Sequence, residues 1–321
     1  MLSVACRGST ARAPALAAAL TYACELEIRA LKPGNVGLHG DGHGMTTADF
    51  LASADAIAVP LTEPVRSVGE RILAAIQATR RVAACNTNLG IVLLCAPLVQ
   101  AALQCSNGGT VRAELSRTLA RLDVRDAELA YEAIRLAQPG GLGKAARHDV
   151  SEKPCVSLLA AMREAAPRDS IARQYANGFA DVLDHGVPRF RELSASWGRP
   201  EWAAAAVFLD FLACLPDSHI VRKLGRSVAR LVSREAAELG AKLGRTENPE
   251  QFSEQLLEWD QRLKRQGINP GTSADLTVAA VLAAQMEHLI DMSCDVGPCP
   301  QPVKQLTQKE ETPWQKSVGC V

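Results

Sequence analysis

The sequence is poor in aromatic residues, which make up 4% of its 321 residues, and it contains no convincing run of alternating apolar and polar residues. Such alternation is the signature of half-buried β-strands, so its absence argues against a β-sheet protein. The spacing of apolar residues is helical almost throughout, and alanine, leucine and arginine, which favour helices, dominate the composition. The pattern predicts an all-α fold.

An excess of charge is also missing, since 35 lysines and arginines balance 35 aspartates and glutamates. Broad attraction to nucleic acid or to an anionic membrane needs a net positive surface. We therefore expect small-molecule substrates and no nucleic-acid partner. The most apolar window, 89–103, contains Pro97 and is too short to span a bilayer, which takes about 20 residues. We therefore expect no membrane association either.

The ten cysteines are scattered, and no two of them are separated by just two residues as in a zinc or redox motif. Several lie inside apolar runs, which is typical of reduced, core-filling thiols in a cytoplasmic protein. The alanine-rich N-terminus passes directly into Tyr22 and Glu25, so it reads as a helix and not as a signal peptide. We expect a cytoplasmic location, and a homo-oligomer is left open.

The helical spacing divides the chain into about a dozen segments separated by glycine and proline turns. The predicted helices are 13–30, 47–59, 65–84, 89–104, 111–121, 125–137, 154–166, 169–184, 200–214, 218–240, 250–266 and 273–291. We predict a single multi-helix catalytic domain over 1–293, although the turn at 197–200 is a candidate boundary between subdomains. The last segment is rich in proline, glutamine and lysine and has no apolar stripe, which predicts a disordered tail over 294–321.

One carboxylate stands out in the first predicted helix. Glu27 follows Leu20 and Cys24 at spacings of seven and three residues, so it lies on the apolar face of the helix. A buried carboxylate is costly unless it is paired, bound to a metal or used as an acid or base. The alternative is that Glu27 reaches solvent at the helix end or pairs with Lys32.

The glycine-rich loop that follows carries further candidates. Its turn at 32–35, Lys-Pro-Gly-Asn, is of the kind that lets a lysine and backbone amides approach phosphate. Asp41 and His43, flanked by glycines, are candidates for metal binding or proton transfer. A glycine-rich surface loop also carries such residues without a function, so both interpretations stay open.

Two later helix starts also suit a ligand. Asn86 and Asn88 precede the most apolar helix, where the positive end of the helix dipole favours a phosphate, although a simple N-cap explains them equally well. Asp275 heads the apolar face of the last predicted helix and, like Glu27, points inward. The turn before 218–240, Pro-Asp-Ser-His, is first of all an N-cap signature.

A glycine-rich segment at 139–144 lacks the preceding strand and the following serine or threonine of a nucleotide-binding P-loop. We interpret it as a flexible connection. Lys144, His148 and Asp149, in and after this segment, are second-tier candidates for a site.

Taken in order, these motifs resemble the triphosphoribosyl-dephospho-coenzyme A synthase family over roughly residues 15 to 290. The segments that carry the resemblance are Leu26-Glu27-Ile28, Lys32-Pro33-Gly34, Met45 with Phe50 and Ser53, Asn86-Thr87-Asn88-Leu89-Gly90, Pro216-Asp217-Ser218 with Arg222, and Asn269-Pro270-Gly271-Thr272-Ser273-Ala274-Asp275. The ordered set is far more specific than any single motif.

The resemblance implies an all-α enzyme that uses ATP as a substrate together with Mg²⁺. In the implied reaction, the 2′-hydroxyl of dephospho-CoA attacks C1′ of the ATP ribose, adenine leaves and the triphosphate stays on the product. The implied acid, base or metal-binding residues are Glu27, Asp41 and Asp275. The implied contacts to the nucleotide are Lys32, Asn86, Asn88, Arg222 and Ser273.

The chain departs from the family motifs at two places. Gly44 stands where the family has an aspartate, and Asn88-Leu89 replaces a His-Lys pair. These changes suggest a divergent member that transfers the group to dephospho-CoA or to another small acceptor. Two alternatives are an all-α N-glycosidase that acts on ADP-ribose linkages and a helical binding protein whose catalytic site has decayed.

Overall fold

The computed structural model describes residues 4–106 and 108–295, which form fourteen α-helices and no β-strand. In chain order the helices are α1 (Val4–Arg29), α2 (Thr47–Thr62), α3 (Val68–Val82), α4 (Leu89–Gln104), α5 (Val111–Arg121), α6 (Val124–Ala137), α7 (Leu158–Ala165), α8 (Ser170–Asn177), α9 (Val187–Trp197), α10 (Pro200–Cys214), α11 (Ser218–Leu224), α12 (Arg226–Leu243), α13 (Ser253–Arg265) and α14 (Gly271–Asp295). A π-helical turn, Asp181–Gly186, precedes α9, and a 3₁₀ turn, Pro249–Phe252, precedes α13. The all-α prediction is confirmed.

Local capping fixes where several helices begin. Thr46 and Asp49 form a reciprocal capping box at the start of α2, and Ser67 and Glu70 do the same for α3. Each pair satisfies two backbone amides that have no partner inside the helix. These helices therefore begin where their local sequence directs.

The centre of the fold is made by α4, α10 and α14. In α4, 14 of 16 residues are buried, and in α10, 10 of 15 are buried, as expected for helices that are apolar on most sides. In turn, α14 packs against α1, α4 and α10. Alanines on α10 and α14, including Ala204, Ala205, Ala279 and Ala280, are buried in the core. Their small side chains let helix backbones approach closely, which explains how a core with so few aromatic residues fills its interior.

Within the described residues, no single helix combines the length and apolarity needed to cross a membrane. Taken together, α10 and α11 meet that criterion by length and composition, but they are bent by 54° at their junction.

The structure corrects two of the predicted helices. The segment 169–184 is not one helix, because Gly178 and Phe179 adopt positive φ angles of 71° and 63° that end α8 before the π-helical turn and α9 begin. The segment 218–240 is likewise split, by Gly225 with φ of 89°, into α11 and α12. Left-handed backbone cannot continue a right-handed helix. The domain bounds 1–293 stay a prediction, and the tail predicted over 294–321 lies outside the described residues from 296 onward.

Candidate active site

A buried ion pair lies at the end of α1. Glu27, which is 2% exposed, forms a salt bridge with Lys32, itself 2% exposed. The Lys32 ammonium also donates to Asn35 Oδ1 at 2.7 Å and to the carbonyl of Val36 at 2.9 Å. Burial raises the pKa of Glu27 and lowers that of Lys32, and their mutual attraction opposes both shifts. All three Lys32 protons are therefore committed within the protein, and the pair anchors the loop.

This loop is fastened to the far end of the chain. The Gly34 amide donates to Asp260 Oδ1 at 2.8 Å, and Asn35 Nδ2 donates to Asn269 Oδ1 at the same distance. Gly34 has φ of 84°, and a side chain there would come within 2.9 Å of the Ile268 carbonyl. Only glycine fits this close approach. The turn at 32–35 and the segment that opens α14 thus meet in space, although 234 positions separate Asn35 from Asn269.

Asp217 joins the starts of α11 and α14. One oxygen of this buried carboxylate accepts from the amides of His219 and Ile220 at 2.9 and 3.1 Å. The other accepts from the Ser273 amide at 2.7 Å and from its hydroxyl at 2.8 Å. Because four donors share one carboxylate, the two helix starts are held in a fixed relation. Ser273 is 2% exposed and serves this junction.

These junctions frame a cavity with a volume of about 330 Å³. It lies between the starts of α4, α8, α11 and α14, the facing sides of α6 and α7, and the segment 139–150. Its polar lining residues are Asn86, Tyr131, Lys144, His148, Asp149, Arg168, Asp169, His219, Arg222, Thr272 and Asp275. Its apolar lining includes Leu93, Ile134, Leu158, Met162, Ile171 and Val221. A largely apolar cavity with a few convergent polar groups is the usual form of a small-molecule site.

Asp275 is the unpaired acid of this cavity. Across the described residues, no donor forms a hydrogen bond with its carboxylate. Burial and the negative charges of Glu27 and Asp217 raise its pKa well above the usual range. A side chain at Gly90, in the first turn of α4, would overlap the Asp275 carboxylate. The Asp275 side chain therefore lies directly against the α4 backbone.

Arg222 and Asp169 form the charged pair of the cavity. Arg222 Nη1 donates to Asp169 Oδ2 at 2.9 Å. The other oxygen of Asp169 caps α8 by accepting from the amides of Ile171 and Ala172 at 2.9 and 3.0 Å. The Nε atom of Arg222 is buried and has no protein partner. Arg222 is thus oriented by Asp169 and retains hydrogen-bonding capacity for a ligand.

Comparison with known proteins decides the family. The model of the ATP:dephospho-CoA triphosphoribosyl transferase family matches residues 13–294. The chain belongs to this family. A relative from Acinetobacter calcoaceticus, named Probable 2-(5''-triphosphoribosyl)-3'-dephosphocoenzyme-A synthase, is 27% identical over 115 residues. That match covers 36% of this chain and 39% of the relative, so it spans about two fifths of the relative's length.

A crystal structure from Archaeoglobus fulgidus, whose name assigns it to the triphosphoribosyl-dephospho-CoA synthases, superposes with a TM-score of 0.57 and 26% identity. The superposition covers 74% of this chain and 98% of that one. The family predicted from the ordered motifs is therefore confirmed.

The transferase-family motifs meet in the structure, but only some of their residues line the cavity. Asn86, Arg222 and Asp275 do so. The Asn86 side chain also accepts from the Leu89 amide at 3.1 Å, which caps α4. Asn88 is 3% exposed, and its side-chain oxygen Oδ1 accepts from the Thr79 hydroxyl at 3.0 Å in the packing between helices.

The remaining predicted residues lie elsewhere. Glu27 and Lys32 are paired beside the cavity, and Ser273 belongs to the Asp217 junction. Asp41 is exposed and accepts from the Thr47 amide at 2.8 Å, close to the start of α2. The departure at Gly44 falls in the same exposed loop, whereas the departure at Leu89 lines the cavity.

The carboxylates predicted to bind Mg²⁺ do not form a cluster. Within the described part of the chain, no three histidine, cysteine, aspartate or glutamate side chains are arranged to hold a metal ion. Glu27 forms a salt bridge with Lys32, and Asp41 lies in the exposed loop and does not line the cavity that Asp275 lines. The donor set of the described residues therefore does not make a protein cage for a divalent ion.

His219 is a cavity residue that sequence reasoning missed. It follows the N-cap of α11, and its sequence motif is first of all a capping signature that gives His219 no role. In the structure it lines the cavity together with Arg222, three residues further along the helix. Residues three apart share a helix face. The signal available in the sequence was the three-residue spacing of His219 from Arg222, which the resemblance implied as a nucleotide contact.

Proposed function

We propose that this protein transfers the triphosphoribosyl group of ATP to the 2′-hydroxyl of 3′-dephospho-CoA or a related small acceptor and releases adenine. Membership of the transferase family supports the reaction class. The observation that carries the proposal is a cavity in which an unpaired acid, Asp275, and a cation with an unused donor, Arg222, line the same space. Leu89, an apolar residue where the family motif has lysine, is the reason to keep the acceptor open.

In this proposal, Asp275 is the acid. Departure of adenine breaks the bond between C1′ and the base, and the base needs a proton as it leaves. Burial and the charge of Glu27 raise the pKa of the Asp275 carboxyl well above its usual range, so it keeps its proton to a higher pH than an ordinary aspartate and is suited to giving that proton. Glu27 then acts through Asp275, and its pairing with Lys32 keeps it from acting as the base itself.

Arg222 and Asn86 are the proposed contacts to the triphosphate. The Arg222 guanidinium is held by Asp169 and keeps one buried donor unused, which suits charge-assisted bonds to phosphate oxygens. Because no carboxylate cluster surrounds it, we propose that Mg²⁺ enters bound to the phosphates of ATP and not in a protein cage. The apolar wall on α6 and α7 would accept the less polar parts of the two substrates.

We infer a cytoplasmic location with small-molecule partners and no nucleic-acid partner. The balanced charge supports the absence of a polyanionic macromolecular partner. Cys24 and Cys95 are buried thiols inside helices, as expected in a reducing compartment.

The test is to incubate the purified protein with ATP, Mg²⁺ and dephospho-CoA and to detect adenine and the triphosphoribosyl adduct by mass spectrometry. Adenine released without any acceptor would indicate the N-glycosidase alternative. No binding of ATP with Mg²⁺ in calorimetry would indicate the decayed binding protein.

The role of Asp275 is tested with Asp275→Asn. Loss of a general acid should slow adenine release by about 10²- to 10⁴-fold. Because the pKa of this carboxyl is raised on folding, its ionisation opposes folding once the pH exceeds the ordinary aspartate pKa. The variant should therefore melt at a higher temperature than the wild type at neutral pH. An active variant, or one that is less stable, would contradict this assignment.

A further inference from the structure

Two unsatisfied nitrogen atoms lie in the wall of the cavity. Seven buried side-chain polar atoms of the described residues have no hydrogen-bond partner, and two of them, His219 Nε2 and Arg222 Nε, belong to residues that line the cavity. Both are on α11, three residues apart and thus on one face. A buried polar atom without a partner is unfavourable because it has lost its hydrogen bonds to water. Because both atoms lie in the wall of the cavity, a ligand bound there would supply their missing partners.

The His219 ring is held in place from several sides. Its amide donates to Asp217 Oδ1 at 2.9 Å and to the Thr272 hydroxyl at 3.2 Å, which fixes the backbone. On the Nδ1 side, the ring abuts Gly271 so closely that a methyl group there would come within 2.7 Å of Nδ1. The imidazole therefore has little freedom to turn on that side, and Nε2 is the nitrogen left for a ligand.

The surroundings keep this imidazole uncharged. Burial, helped by the positive charges of Lys223 and Arg222 and by His43, lowers the pKa of His219 to about 3. Arg222 and Lys144 already supply cations to the cavity. Because this low pKa makes Nε2 a weak base in the free protein, its use as a base depends on the bound triphosphate, whose negative charge offsets Arg222 and Lys223 and strengthens Nε2 as a proton acceptor. Nε2 accepts in the tautomer that carries the ring hydrogen on Nδ1.

We propose that His219 is a catalytic residue whose Nε2 takes the proton of the acceptor hydroxyl as that oxygen attacks C1′ of the ATP ribose. This inference rests on the proposed function. The hydroxyl oxygen forms the new bond to C1′ and its proton goes to Nε2. The bond between C1′ and adenine breaks, its electron pair leaves with the base, and Asp275 gives the base a proton. The imidazolium then loses its proton to solvent, and the Asp275 carboxylate regains one.

The experiment compares His219→Ala and His219→Gln with wild type for adenine release and adduct formation from ATP, Mg²⁺ and dephospho-CoA. Loss of a general base should lower kcat by about 10²- to 10⁴-fold, with KM for ATP little changed. Added imidazole should restore part of the rate of His219→Ala, which a merely structural role would not allow. His185→Gln, which replaces an exposed imidazole in the π-helical turn, is the matched control and should keep the wild-type rate.

The outcomes separate this inference from the function on which it rests. A wild-type protein that forms no adduct contradicts the proposed function. An active wild type with active His219 variants overturns the role of His219 alone. A rise in KM for ATP with kcat unchanged also overturns it, because His219 would then only bind the nucleotide. Far-UV circular dichroism of His219→Gln keeps the test valid if His219→Ala does not fold.

Discussion

The uncharged state of His219 has a consequence for stability that is independent of any assay of activity. An ordinary histidine has a pKa of 6.5, whereas that of His219 in the folded protein is about 3. As the pH falls below 6.5, the unfolded chain therefore binds a proton at this position and the folded chain does not. Folding stability should fall with acidification, and replacing His219 by glutamine should remove that part of the loss.

The size of the effect follows from the two pKa values. At pH 5 this difference in proton binding lowers the free energy of unfolding by about 2 kcal/mol, and at pH 7 it lowers it by only about 0.2 kcal/mol. Relative to wild type, His219→Gln should thus gain about 2 kcal/mol of unfolding free energy between pH 7 and pH 5. That is a large fraction of a typical stability of about 5 to 15 kcal/mol.

The measurement is urea unfolding of both proteins at pH 5, 6 and 7, followed by circular dichroism at 222 nm. With a denaturant dependence of about 3 kcal/mol per molar, the predicted difference moves the midpoint by about 0.7 M. His185→Gln, at an exposed position, corrects for the loss of a histidine as such. Equal pH dependence of His219→Gln and wild type would refute the assignment of a buried neutral imidazole, whatever the absolute stabilities are.

Other substitutions separate residues that build the cavity from those outside it. Gly90→Ala should abolish adenine release, because the methyl group would overlap the Asp275 carboxylate. The control Gly240→Ala, whose methyl group would lie 3.5 Å from its nearest neighbour, should keep activity and gain up to about 1 kcal/mol of stability. Equal activity of the two variants would contradict the contact between Gly90 and Asp275. Glu27→Ala should destabilise the protein by about 3 to 5 kcal/mol, because it leaves a buried lysine unpaired, and an unchanged melting temperature would show that the pair is dispensable. Asp41→Asn should leave turnover unchanged, since this carboxylate is exposed and does not line the cavity. A large loss of rate would show that Asp41 takes part in the reaction.

Helices were predictable where local sequence decides them. The predicted bounds of 89–104, 111–121 and 200–214 agree with α4, α5 and α10, because apolar spacing and turn residues mark both ends. The split at Gly225 was missed, since a glycine inside a helical pattern is compatible with either a continuous helix or a break. Packing against the rest of the fold decides between the two.

The inward-pointing acids were also predictable, but their partners were not. Helical spacing placed Glu27 and Asp275 on buried faces, and both are largely removed from solvent. Periodicity gives the face of a helix and carries no information about which distant residue meets it. Whether Glu27 pairs with Lys32 or acts alone was therefore open until the loop was seen closed around the ammonium.

The sequence by itself determined that the chain is helical, that it belongs to the triphosphoribosyl transferase family and that Glu27 and Asp275 face inward. Each of these conclusions depends only on residue types at short spacings or on the order of motifs along the chain. The tertiary structure alone decided which candidates share a cavity. It placed Asp275 against Gly90, left His219 and Arg222 with unpaired nitrogens, and put Asp41 outside. The reason is that hydrogen-bond satisfaction is a property of the folded surroundings, which bring together residues far apart in the chain.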